Sequence, residues 1–264
     1  GYDFLVITDH FMEHYGFAVT DSREFRDESF TTLLGAELHG PSLTNGGLWH
    51  IVAAGLPLDF ASQRQEESGP EIAARAAATG AFIGLAHPAW NGVTPSDALS
   101  VKSAHAIEIH NEGHTNDSDR GDGWYLADLL ATAGWRFSVF AADDAHFGER
   151  ADRFGGWVMV RAQSLEPDAL VAALKAGHFY SSTGPTIEAI TIDRERIRIA
   201  CSPAARILLG GRGSTCRWLH GEDLTHASFP LGPFAGAFCR VTIVDAAGKR
   251  AWSNPIWLEE AMLG

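Results

Sequence analysis

Twelve histidines stand in this chain of 264 residues, and ten of them precede Phe179. Several follow short apolar runs. Tyr2-Asp3-Phe4-Leu5-Val6-Ile7 leads into Thr8-Asp9-His10, and Thr31 onward ends on Glu37. Phe82 to Ala86 ends at His87-Pro88, and Trp135 to Ala142 ends at Asp143-Asp144-Ala145-His146. His50 lies in the run from Trp49 to Gly55. Neutral imidazole and carboxylate are ligands of divalent ions such as Zn, Mn and Fe. Asp9-His10, Glu37, His50, His87 and Asp144-Ala145-His146 offer more donors than one ion needs. A carboxylate such as Glu37 can bridge two ions about 3.5–4 Å apart. Each piece alone is weak: a single strand-end histidine is more often a hydrogen-bonded polar residue, and Asp9 also suits a turn cap. The joint occurrence at successive strand ends carries the reading. Cys201, Cys216 and Cys239 all fall in the last quarter of the chain. They give no disulfide framework or zinc ribbon and turn the chemistry away from Fe–S clusters.

These residues need a frame that gathers strand ends. Further strands are expected over 104–109 and 156–160. Helices are expected over 71–79, 124–133 and 166–175, stopped by Gly80, Gly134 and Gly177, the last with Pro167 near its start. Short apolar runs alternating with helices predict an α/β fold with a largely parallel sheet, its site at the carboxyl ends of the strands. After Gly184 the pattern becomes period two, as in 187–192 and 196–200, with further strand-like runs over 205–209, 238–244 and 251–258. That predicts a small all-β domain over 185–264 behind a metal-binding domain over 1–184. The chain carries 20 Lys and Arg against 33 Asp and Glu, a net charge of −13, which disfavours a nucleic-acid partner. Phosphorylated small molecules stay open as substrates, because bound cations reverse the local field. No apolar run approaches the roughly 18 residues of a membrane span. A reduced, cytoplasmic setting is the expectation, with an oligomer open.

The pieces Ile7-Thr8-Asp9-His10, Gly35-Ala36-Glu37, His50-Ile51-Val52-Ala53-Ala54-Gly55, Ala86-His87-Pro88 and Asp144-Ala145-His146, in this order, resemble the PHP (polymerase and histidinol phosphatase) family. The resemblance implies a distorted (β/α)7 barrel with two to three divalent ions (Zn, Mn or Fe). It implies hydrolysis, most often of phosphoesters. On it, His10, Glu37, His50, His87, Asp144 and His146 are metal ligands. The segments Phe154 to Val158 and Gly177 to Pro185 are similar to a subgroup with a small β domain behind the barrel, which includes carbaryl-type ester and carbamate hydrolases. The family opens with a strand carrying His-x-His, some tens of residues before Thr-Asp-His. Only nine residues precede His10 here. That strand is therefore expected to have been lost with the natural N-terminus; otherwise the site holds fewer ions. His14 and His39 are conceivable substitutes, without support from their spacing.

For the chemistry, Asp9, His110 and His114 are candidate acids for the leaving group. Arg150 and Arg153 are candidates for clamping a phosphate, against surface ion pairing with Glu149 or Asp152. Asn111 and His178 are candidate substrate contacts, and Trp90 a pocket wall. The expected function is a phosphoesterase using a metal-activated hydroxide. An ester or carbamate hydrolase is the second reading, and a non-catalytic regulatory module the third. A basic rim would favour phosphate, and an apolar one a carbonyl substrate.

Overall fold

The structure is a computed structural model that describes residues 1–146 and 151–258. The first half runs β1 (Phe4–Ile7), β2 (His10–Phe11), β3 (Thr31–Gly40), β4 (Trp49–Ala54), α1 (Gly69–Ala78), β5 (Phe82–Leu85), α2 (Pro88–Asn91), α3 (Pro95–Ser100), β6 (Ala106–Asn111), α4 (Glu112–Ser118), α5 (Trp124–Thr132) and β7 (Ser138–Ala142). The second half runs β8 (Trp157–Val160), α6 (Pro167–Lys175), β9 (Phe179–Ser182), β10 (Ile187–Ile192), β11 (Arg196–Gly211), β12 (Cys216–Pro230), β13 (Phe238–Val244), β14 (Arg250–Ser253) and β15 (Ile256–Trp257). The fold is mixed α/β, built on two sheets and dominated by strands.

The first sheet has seven strands in the order β1-β3-β4-β5-β6-β7, with β2 also on β3. It is less parallel than expected, because β4 runs antiparallel to both β3 and β5. The chain between Gly40 and Trp49 turns tightly through Leu43–Gly47. That connection is too short for the crossover a parallel neighbour requires. β1 and β7 are the two ends of this sheet.

The second sheet has eight strands and takes in β8 and β9 as well as β10 to β15. The division expected at 184/185 therefore falls inside it, between β9 and β10. β11 is continuous where two short runs are expected. Its register shifts on either side of Ala204, so the strand absorbs Pro203 at an irregularity. β12 has no counterpart in the sequence reading. It is polar and largely exposed along its first half, and pairing with β11 makes it a strand.

Period-two alternation gives the first sheet two different faces. Ala36, Leu38, Ile51, Ala53, Ile83 and Leu85 point to one side and pack on Ile72, Ala76, Ala98, Leu126 and Leu130 of α1, α3 and α5. Leu33, Ala54, Phe82 and Phe140 point to the other side, with Leu170 and Leu174 of α6. That second face leads up to the polar strand ends.

The second sheet braces β7, the strand that delivers Asp144. Val139 N–H donates to Asn254 Oδ1 at 2.7 Å, while Asn254 Nδ2 donates to the carbonyls of Gly177 and Phe179 at 2.9 and 2.8 Å. Arg240 on β13 forms a two-pronged ion pair with Asp128 on α5 and lies 3.8 Å over the Trp124 ring. Asn254→Ala strands several backbone groups at once. It is expected to lower stability by about 2–3 kcal/mol, read as the shift of a urea unfolding midpoint. An unshifted midpoint would remove Asn254 from this role.

Candidate metal centre

Glu37 lies in β3, 6% exposed, on the face away from α1, α3 and α5. Both of its oxygens are used. Oε2 accepts from His10 Nδ1 at 2.7 Å. Oε1 accepts from His50 Nδ1 at 2.7 Å and from His87 Nε2 at 3.1 Å. β2 pairs with β3 so that His10 stands beside Glu37, and β4 brings His50 to the same face. His87 comes from the end of β5 with a left-handed backbone, φ 25°. A non-glycine residue pays for that conformation in strain unless it is held. Here the buried Glu108 carboxylate accepts the His87 backbone N–H.

The electrostatics follow from burial and these contacts. Burial alone would push the Glu37 carboxyl up; hydrogen bonds from His10, His50 and His87 outweigh it and hold the group well below its ordinary range. His10 is raised by its hydrogen bond to Glu37. His39 is lowered to about 4 by burial, and His114 to about 4 by burial and by His87. Both are therefore neutral imidazoles at neutral pH. Burial lifts Glu108 to about 8 against the opposing pull of the His87 imidazole, and nearby Asp144 adds to the rise.

Three donor groups result: His10, Glu37 and His39; Glu37, His50 and His87; and His87, His114 and Asp144. In the first, His10 Nδ1 is 2.7 Å from Glu37 Oε2 and 2.9 Å from His39 Nε2, and His39 Nε2 is 3.7 Å from Glu37 Oε2. Ligands about 2.1 Å from a shared ion stand roughly 3.0–3.4 Å apart, so this triangle brackets the size of a coordination site. His87 Nδ1 is buried with no hydrogen-bond partner among the described residues. Donor chemistry and spacing both fit divalent ions.

The six residues expected as ligands gather here to different degrees. His10, Glu37, His50, His87 and Asp144 enter the donor groups. His146 stands at the rim, its ring 6.0 Å from that of His10, with Nδ1 donating to the Asp144 carbonyl at 2.9 Å. Asp9 is exposed and its carboxylate accepts from Thr20. Trp90 walls the centre, stacking on His114 at 4.4 Å and meeting His50 and His87 edge-on.

Several expected contacts are placed elsewhere. His110 turns away: Nε2 meets Glu112 at 3.0 Å and the ring stacks on Trp252 at 5.8 Å. The cause is a register shift between Glu108 and His110, which flips the alternation and swings Asn111 inward instead. Asn111 is fully buried, yet its amide is taken up by the frame. Nδ2 donates to Glu108 and Asp144, both at 3.2 Å, and Oδ1 accepts from His114 N–H at 2.8 Å. His178 is exposed, beside Gly177, whose close neighbour is Ser138 at the opening end of β7. That is the opposite end of the strand from Asp144. Arg153 is exposed, and Arg150 lies outside the described residues.

His39, His114 and Glu108 are the residues that sequence reasoning undervalued. His39 had a signal, since it sits two residues after Glu37 on a strand and so shares its face. Glu108 and His114 had none. They arrive through the irregularity in β6 and through α4, whose first turn Asn111 caps.

Asp143 ties the end of β7 to residues 154–156. It accepts the N–H groups of Phe154, Gly155 and Gly156, each at 2.9 Å, and the Tyr2 hydroxyl at 2.7 Å. A Cβ on Gly156 would lie 2.8 Å from the His110 ring, so only glycine allows this approach. A cavity of about 1010 Å³ opens from the centre toward β1 and β7, walled by Phe4, Val6, Phe82, Phe140, Val160 and Leu170. Among the described residues lining it there is no Lys or Arg.

No family model matches the chain, and no curated protein matches it. Among solved structures, it is similar to a two-domain protein from Bacteroides vulgatus containing a predicted PHP-like metal-dependent phosphoesterase. The TM-score is 0.52 at 13% identity, over 92% of this chain and 82% of that one. At that identity the likeness shows a shared fold.

Both Glu108 oxygens accept from N–H donors, so an amide in its place must turn an NH2 toward a donor. Glu108→Gln is expected to lower stability by about 1–2 kcal/mol, and Glu108→Ala by more, in urea unfolding. Equal stability of all three proteins would contradict the arrangement.

Proposed function

We propose that this chain is a divalent-metal-dependent hydrolase acting on a phosphoester. The first sheet is read as a distorted barrel of the (β/α)7 kind, open between β1 and β7. The observation that carries the proposal is the Glu37 carboxylate with imidazoles on both of its oxygens, buried at the inner end of a cavity. The likeness to the Bacteroides vulgatus protein, which contains a predicted PHP-like metal-dependent phosphoesterase, supports the same class.

His10, His50, His87, Glu37 and Asp144 would hold the ions. Bound divalent ions supply Lewis acidity and bring the pKa of a water toward neutrality. The chain's own part is orientation. Glu108 and Asn111 fix His87, His114 and Asp144, and Trp90 shields one side of the cluster from solvent. His146, half-exposed at the rim, has Nδ1 tied to a carbonyl and Nε2 left to hold or pass a proton where substrate enters.

The cavity favours a second reading. Its walls are apolar and, among the described residues, without a guanidinium or ammonium group. Such a wall suits an ester or carbamate with an apolar group better than a second phosphate. Turnover of p-nitrophenyl phosphate against p-nitrophenyl acetate decides between the electrophiles.

His87→Ala and Asp144→Asn are each expected to lower turnover beyond the roughly 10–100-fold typical of changes around a metal's ligands, with far-UV circular dichroism unchanged. A chelator should abolish turnover, and added Zn or Mn should restore it. Full activity in chelator would sink the metal-dependent reading.

A further inference from the structure

We infer that His39 and His114 are metal ligands, His39 with His10 and Glu37, and His114 with His87 and Asp144. The inference rests on the metal-dependent reading above and extends it to two side chains that the sequence motifs do not supply. The two groups share no residue, so each defines a separate ion position. The remaining group, Glu37 with His50 and His87, draws one member from each and links them.

The case for His39 is its hydrogen bonding. The side chain is buried, 3% exposed. Nδ1 faces the Trp49 carbonyl at 3.0 Å. A carbonyl only accepts, so the ring proton sits on Nδ1 and the lone pair on Nε2. Ligating histidines are commonly oriented in this way, with the far nitrogen tied to a backbone carbonyl. The lone pair meets His10 Nδ1 at 2.9 Å and a carboxylate oxygen at 3.7 Å. A histidine kept for structure alone would find a dedicated donor there. His39 finds another imidazole that already has Glu37 as its acceptor, and a second acceptor.

The case for His114 is its placement. Its backbone N–H is fixed by Asn111 Oδ1. Its ring is sandwiched by Trp90 at 4.4 Å, near parallel, and by His87 at 4.7 Å, edge-on. Nε2 stands 3.4 Å from Asp144 Oδ2, too long for a good hydrogen bond and suited to two ligands of one ion. An independent observation sits on the neighbouring ring: His87, 4% exposed, carries a buried nitrogen with no hydrogen-bond partner among the described residues.

The test is metal counting on the full-length protein, by elemental analysis after dialysis against Zn and by titration with Co(II) followed through its d–d absorption. His39→Ala and His114→Ala should each remove one ion per chain or weaken one binding step at least tenfold. The double variant should remove two. His39→Gln and His114→Asn serve as gentler replacements if an alanine variant fails to fold. His220→Ala and His226→Ala, exposed on β12, should leave count and spectrum unchanged. A variant with the full count, unchanged affinity and an unchanged Co(II) spectrum overturns the assignment for that residue. Lost turnover with intact metal binding also overturns it and leaves the hydrolase reading standing. Two ions lost in the double variant, in a protein that turns over neither p-nitrophenyl substrate, uphold the ligands and fail the hydrolase reading.

Discussion

A carboxylate buried at the middle of a sheet is the constraint from which this architecture follows. Taking an ionised carboxyl out of water costs several kcal/mol unless it is met by donors or cations. Glu37 is met on both oxygens by imidazoles from β2, β4 and the end of β5. β2 and β4 must therefore hold register with β3, and β5 with β4. β2 pairs His10 with Glu37, and β4 pairs Val52 with it, leaving His50 on the same face. A slip of one residue in either pairing would turn an imidazole into the face packed on α1, α3 and α5.

The outer support is polar and just as specific. Glu108 and Asn111, both buried, tie the His87 backbone, the start of α4 and Asp144 into one network. That network exists because β6 carries an irregularity, which sets Glu108 and Asn111, three residues apart, on one side. His87 and Asp144 both adopt left-handed backbone, φ 25° and 53°. Such strain concentrates where side chains must be aimed, and here it falls on two of the donors. The second sheet contributes at a distance. It clamps β7 through Asn254 and α5 through Arg240, which steadies the strand and helix flanking the centre.

The apolar cavity and the polar cluster meet in one space, and the two impose different demands. Imidazoles and carboxylates prefer cations or water. The walls of Phe4, Phe82, Phe140 and Leu170 exclude both. A substrate that joins a polar, hydrolysable group to an apolar one satisfies the two environments together.

Most of the strands, and several members of the donor groups, could be read from the chain alone. His10, Glu37, His87 and Asp144 were legible because each ends or interrupts a short apolar run, and burial in a sheet makes such a residue conspicuous. The change to period two after Gly184 was legible for the same reason: alternation reports one wet face. Other features depend on a neighbouring strand rather than on the local sequence. β12 is a strand because β11 pairs with it. β8 and β9 join the second sheet because β9 pairs with β14. His110 faces Trp252 and Asn111 faces Asp144 because a register shift reverses the alternation. Side-chain direction after such a shift is set by hydrogen bonds to the adjoining strand, and a linear sequence holds no record of where that shift falls.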